Sequence, residues 1–312
     1  MFTITALKVL LMIAYGVPGF ILVKTEALGE QHIKAFAKML LYVCQPALAI
    51  YSFNGADCTP RLLADMGIFF GLTLFAQVAI IILYSFIFKN KIKKDKAHKI
   101  CAVAGACGNV GFLGIPLLEY LIPNNPDVLV YSASFSMSMN IIAWTLGLVM
   151  ITGDKKYVSI RSLVANPATV AYVIAIPLFV LGIKLPNLFA EYIEMLGRMS
   201  TVVCMTVIGM RLGAKSLKRI FSDTRVYYAA VSKLIIFPFI GLALFFIVPV
   251  SQTVRSAAFI LCSCPAAAMI QSLSETHNGD SEAAANIVLS TSLLCIVTIP
   301  LMWTLYNLLF LS

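Results

Sequence analysis

GNVGFLGIP at residues 108–116 breaks an apolar segment in the first half of the chain, and CSCPAAAM at 262–269 breaks one in the matching place of the second half. In hydrocarbon every backbone N–H and C=O needs a partner, so an unwound helix persists only where its freed groups line a polar cavity or are buried in protein. Two such breaks at corresponding positions predict the substrate site of a membrane carrier.

The sequence around the breaks sets the class. Hydrophobic residues make up 60% of the 312 positions and charged ones 12%, with a mean hydropathy of +0.93, which excludes a soluble domain. Ten apolar stretches are read as helices, at 4–23, 35–53, 64–88, 100–122, 128–151, 163–183, 196–213, 226–249, 254–275 and 283–310. They lack the period-two alternation of barrel strands. The first has a single early cation, Lys8, and no small-residue cleavage site after it, so it is read as a mature span rather than a signal peptide.

The net charge of +9 does not call for nucleic acid, because the cations sit in alternate connections. Lys24, Lys34 and Lys38 follow the first span. KNKIKKDKAHK at 89–99 follows the third, Lys155, Lys156 and Arg161 the fifth, and Arg211, Lys215, Lys218, Arg219 and Arg225 the seventh. The other side has only Lys8, Arg61, Lys184, Arg198 and Arg255. The positive-inside rule then predicts a multi-pass protein of the cell membrane with both termini outside the cytoplasm. Five spans per half force the second half to enter from the opposite face. The expected architecture is therefore an all-α bundle of ten transmembrane helices in two inverted repeats, residues 1–152 and 163–312, joined by a cytoplasmic connector at 153–162. AKMLLYVC at 37–44 and GRMSTVVC at 197–204 match in register across the halves.

At the first break, Gly105, Gly108, Gly111 and Gly114 recur every three residues and leave room for close backbone approach, and Pro116 removes a donor and disrupts the helix ahead of it. Half-helix N-termini there would offer amide donors and a partial positive charge to a carboxylate, with Asn109 adding a side-chain donor. Cys264, Pro265 and Ala266 repeat the logic at the second break, with small residues in place of glycines. Small-residue helix packing is the competing account. Ser136 and Asn140, one turn apart on the fifth span, are candidate substrate contacts, with an interhelical hydrogen bond as the alternative for Asn140. Lys233 lies ~10 Å into its span, at a depth where a lysine costs ~2.5–3.5 kcal/mol, so it either counters an anion or snorkels to the surface. Glu119, Glu275 and Asp280 are candidate proton sites, or else solvated helix ends. His32, His98 and His277 fall at span ends and are expected to be solvated. The cysteines inside spans, Cys262 and Cys264 among them, suit packing, and neither a metal nor a cofactor is expected.

GNVGFLGIPLLEY at 108–120, NIIAWTLG at 140–147, ANPATVAYVIAIPLFVLGIKLP at 165–186, SKLIIFPF at 232–239 and ANIVLSTSLLCIVTIPL at 285–301 together resemble the auxin efflux carrier family, which includes the PIN-formed plant carriers and many bacterial permeases. The resemblance runs the whole length and points to the short microbial form, since about ten residues join spans five and six. It implies that helices four and nine cross near the membrane centre. It also implies that spans three to five and eight to ten move, elevator-like, against a scaffold of the rest. Organic anions are the implied substrates, and a homodimer through the scaffold is the implied assembly. Relatives often carry a basic residue ahead of the proline that follows Lys233, and a polar residue at the place of Asn140.

An intramembrane enzyme is disfavoured because no aspartate pair in a span, HExxH or Gly-x-Ser-x-Gly occurs, and no Walker A sequence supports ATP-driven transport. The expectation is a secondary transporter of small mono- or dicarboxylates. A membrane-embedded anion sensor without flux is the alternative.

Overall fold

The computed structural model describes residues 2–157, 164 and 166–310, and the secondary structure in them is helical. Among the described residues, seven helices are long and apolar enough to cross a membrane: α1 (Phe2–Lys24), α2 (Glu30–Asn54), α3 (Pro60–Ile87), α5 (Asp127–Thr152), α7 (Asn187–Gly213), α8 (Arg225–Ile247) and α10 (Ser281–Phe310). Between them lie α4, in two pieces (α4a, His98–Ala106; α4b, Val110–Leu121), the shorter α6 (Pro167–Val180), and α9, also in two pieces (α9a, Gln252–Cys262; α9b, Met269–Thr276).

Local chemistry sets the boundaries. Thr59 caps α3 by accepting from Leu62 N at 3.1 Å, with Pro60 at the first helical position, where its missing N–H costs nothing. Asn166 caps α6 through Ala168 N at 2.9 Å, and Ser251 caps α9a through Val254 N at 3.3 Å. Helix α7 starts at Asn187 rather than near 196, because Asn187–Met195 carries two glutamates that dilute the apolar pattern without breaking the helix. Of the expected connector at 153–162, Gly153 adopts a left-handed φ of 75° that ends α5, and a short turn covers Lys155–Tyr157. Arg161 and the sequence-based start of the sixth span at 163 lie outside the described residues.

Three prolines follow wide turns. A five-residue π-turn precedes Pro46 (Leu40–Cys44), Pro116 (Val110–Gly114) and Pro238 (Ser232–Ile236). At Pro116 the carbonyl four residues back belongs to Phe112, which the ring nitrogen cannot serve. Thr201 Oγ1 on α7 donates to it instead, at 2.7 Å. This corrects the sequence reading of Pro116: the break lies earlier, at Cys107–Asn109, and Pro116 shapes the wide turn that follows.

Two sets of helices emerge. Helix α7 packs along α1 and α2, and α6 packs on α2. Opposite them α3 packs on α5 and α8, and α10 on α8 and α9b, while α1 also reaches α10. At one end of the second set Arg225 binds Asp223 at 2.8 Å, Asp280 at 3.0 Å and Asp95 at 3.4 Å, which ties three connections together. Burial pushes the Asp223 carboxyl up, but the hydrogen bonds and charge of Arg225 outweigh it and hold it below the usual carboxylate range.

The α1–α7 contact is backbone against backbone. A Cβ on Gly209 would lie 1.8 Å from the Gly16 carbonyl oxygen, so no larger residue fits without moving one helix. We expect Gly209→Val to lose at least 2 kcal/mol of stability, within the range of about 1–3 kcal/mol or more for overpacking. In detergent its melting temperature should fall well below wild type, while Gly67→Val, at a glycine with nothing within 4 Å, should melt as wild type does.

Candidate functional site

The two interrupted helices meet at their breaks. Gly108 and Ala266 form an antiparallel bridge, in which Asn109 N donates to Pro265 O at 2.7 Å and Ala267 N donates to Cys107 O at 3.0 Å. Ala266 N donates to Thr291 Oγ1 on α10 at 3.2 Å. Backbone groups that the helices release are thus partly satisfied by each other, as burial in hydrocarbon demands. What remains is the first turn of α4b, where Val110, Gly111 and Phe112 have amides with no intrahelical acceptor.

Lys233 stands behind the bridge, fully buried, with Nζ donating to Cys262 O at 3.2 Å and lying 4.1 Å from the centre of the Phe237 ring. Its charge meets the carbonyl end of α9a, where a helix is partially negative. The snorkelling alternative is overturned, because the side chain points into protein. Gly108 leaves room for the lysine, since a Cβ there would come within 2.9 Å of Lys233 Nζ and push its end aside.

A cavity of about 200 Å³ lies on the other side of the bridge, between α2, α6 and α7 on one wall and α4b, α5 and α9b on the other. Of the residues singled out in the sequence, Gly108, Asn109, Gly111 and Ser136 line it, and so do Ala267 and Ala268, next to Ala266. Asn109 also points Nδ2 at Cys204 Sγ on α7, at 3.7 Å. Gly114, Pro116, Asn140, Cys264, Pro265, Ala266 and Lys233 are not on the cavity wall. Gly114 serves packing, since a Cβ there would lie 2.7 Å from Leu261 Cδ2. Asn140 is buried, and both ends of its carboxamide lack a partner among the described residues, so the interhelical hydrogen bond considered for it is not made.

The acidic candidates are engaged. Glu119 accepts from Arg198 on α7 at 3.0 and 3.1 Å, and Tyr51 on α2 lies between them. Glu275 accepts from Arg211 on α7 and from Gln271, both at 2.8 Å. Asp280 belongs to the Arg225 cluster. The expectation that the histidines are solvated fails for His98, which is 5% exposed and lies 3.3 Å from the Tyr84 hydroxyl. His277 is partly buried against the Trp144 and Tyr157 rings.

Sequence reasoning missed Arg211, Trp144, Gln45 and His277, all on the cavity wall. Arg211 was counted as a loop cation, yet it is a residue of α7 and 8% exposed. The available signal was its place inside the run GMRLG, ahead of the residue that ends the helix.

Lys233→Met tests how the lysine is held. Methionine replaces a buried charge with an apolar chain of similar length, a change that is commonly neutral or stabilising. Thermal denaturation should give a melting point at or above wild type, whereas Lys233→Ala, which leaves a cavity, should lose about 2–5 kcal/mol.

Comparison with known proteins agrees with this architecture. The chain is 24% identical over 232 residues to the protein named uncharacterized transporter YfdV of Escherichia coli (strain K12), covering 70% of this chain and 71% of that one. The proteins of the same name from Escherichia coli O157:H7 and Shigella flexneri match to the same extent. The family described as membrane transport protein matches residues 1–162 and again residues 156–303. With its apolar helices and paired breaks, this multi-pass membrane protein therefore belongs to that family, the auxin efflux carriers and their relatives.

Proposed function

We propose that the protein is a secondary transporter of small organic anions that binds its substrate where the two broken helices meet. The observation that carries this reading is the Gly108–Ala266 bridge at the wall of a cavity lying between two sets of helices. The chemistry suits a carboxylate. The α4b amides and Asn109 offer donors, and Ser136 offers a hydroxyl. Leu48, Val110, Phe112 and Ile115 supply an apolar wall for the body of the anion.

In this reading α4 and α9 cross at the centre of ten spans arranged as inverted repeats. The set holding α3–α5 and α8–α10 slides against α1, α2, α6 and α7, which exposes the cavity to each side in turn. The cavity reaches Arg211, Thr276 and His277, on the side of the basic connections, so the positive-inside rule makes this a cytoplasm-facing state with both termini outside. Glu119 pairs with Arg198 across the two sets, so proton coupling through it would require breaking that pair, and the anion gradient or membrane potential suffices as a driving force. A homodimer would form through the exposed apolar faces of the first-mentioned scaffold helices.

Uptake of radiolabelled malate, malonate and indole acetate into liposomes holding the purified protein, with and without an imposed proton gradient, tests the reading. We expect saturable flux of at least one of these anions, with Asn109→Ala raising its KM at least fivefold, a change of about 1 kcal/mol or the worth of one hydrogen bond. Equilibrium binding without flux under any gradient would instead identify a sensor.

A further inference from the structure

Beyond the bridge, the cavity holds a second set of donors that the substrate site does not use. Arg211 Nε is buried and has no hydrogen-bond partner among the described residues, although Nη1 of the same guanidinium is held by Glu275 Oε1 at 2.8 Å. Trp144 Nε1 is also buried and unpartnered. Arg211 comes from α7 and Trp144 from α5, on opposite walls of the cavity, and both line it. They share one end of it: Arg211 is fixed to Glu275, while the Trp144 ring stands edge-on to His277 at 6.1 Å, and both of those partners lie where α9b finishes.

Buried N–H groups with no acceptor are rare, because each loses its hydrogen bonds to water without compensation. Two of them on residues that line one cavity, one on a guanidinium, call for an acceptor with negative charge. Arginine is suited to this because its planar fork can hold one carboxylate at one edge and a second at the other. Glu275 occupies one edge here and the Nε edge is free.

Arg211 also faces a neighbouring hollow lined by Lys34, Lys215 and Arg219 together with Glu30, Glu275 and Glu282. Eight residues separate Ala268, beside the bridge, from Thr276, a rise of roughly 12 Å at 1.5 Å per residue. Small dicarboxylates are too short to span that distance, so the two ends of the cavity are separate stations rather than two halves of one clamp.

We infer that Arg211 Nε and Trp144 Nε1 form a carboxylate subsite at the basic-loop end of the cavity, where an organic anion is held before it reaches the crossing helices. Its role in transport rests on the carrier reading above, but its binding does not. Glu275 is the resident competitor: its carboxylate takes part of the guanidinium and keeps the empty subsite from holding an unpaired buried charge.

The protein has two tryptophans, Trp144 and Trp303, so a Trp303→Phe protein reports on the subsite by fluorescence alone. Purified in nanodiscs at fixed ionic strength, it is titrated with acetate, malonate and malate, with chloride as the control anion. We expect a saturable change in emission with at least one carboxylate and none with chloride. The double variant Arg211→Gln, Glu275→Gln keeps a neutral hydrogen-bonding pair and avoids a stranded charge. It should bind at least tenfold more weakly, while Glu275→Gln alone should bind more tightly because the competing carboxylate is gone. A saturable response of equal affinity in the double variant would overturn the subsite, as would the lack of any response in a protein that still transports carboxylates into liposomes. A response that depends on Arg211 in a protein without flux would uphold the subsite and reject the carrier reading instead.

Discussion

The structure depends on one constraint: polar backbone that leaves a helix inside hydrocarbon must find partners within the protein. Here the partners are found by crossing. Cys107 and Asn109 on one broken helix exchange hydrogen bonds with Pro265 and Ala267 on the other. Neither break is tolerable alone, and together they form a short two-stranded ribbon at the centre of an otherwise helical molecule. The neighbouring features serve this ribbon. Gly108 makes room for Lys233, Lys233 meets the carbonyl end of α9a, and Thr291 holds the amide of Ala266. Thr201 donates to the Phe112 carbonyl, three residues beyond the ribbon, and in doing so ties α4b to α7.

In the proposed carrier, specificity for an anion would arise without a large formal charge on the cavity wall. Lys233 is the strongest buried cation near the bridge, but it is turned away from the cavity and balances helix carbonyls. The donors left over for a ligand are amides, a carboxamide, an indole N–H and one edge of a guanidinium. Such a set would attract a carboxylate and still release it, as the proposed carrier needs at each turn of its cycle. Two ion pairs hold the helix sets in register, Arg198 with Glu119 and Arg211 with Glu275, and both arginines belong to α7. The first is half exposed and contributes at most about 1 kcal/mol, whereas Arg211 is largely buried and stranding its charge would cost about 3–5 kcal/mol.

Much of this was legible in the chain. Apolar runs near twenty residues long gave the membrane class, and glycine, proline and alanine clusters marked where α4 and α9 are interrupted. Gly108, Asn109, Gly111 and Ser136 were singled out in the sequence, and all four line the cavity. The errors share a cause, which is that a linear pattern does not tell which side of a helix faces protein. Arg211 was counted with the connection because it lies near the end of an apolar run, yet the last turn of the helix is buried and takes Arg211 with it. His98 starts a span and looked solvated, but α3 folds back over it through Tyr84. Pro116 looked like the cause of the break because proline is the strongest local signal, when the bridge three-dimensionally opposite, at Ala266, decides where the helix stops.

The most direct measurement of the central claim is hydrogen–deuterium exchange across the two breaks, with and without a transported carboxylate. If the crossing helices form the binding wall, peptides covering 107–112 and 264–269 gain protection together on addition of the anion, in proportion to its occupancy. Saturable transport with no change in exchange at either break would place the substrate elsewhere and contradict the account.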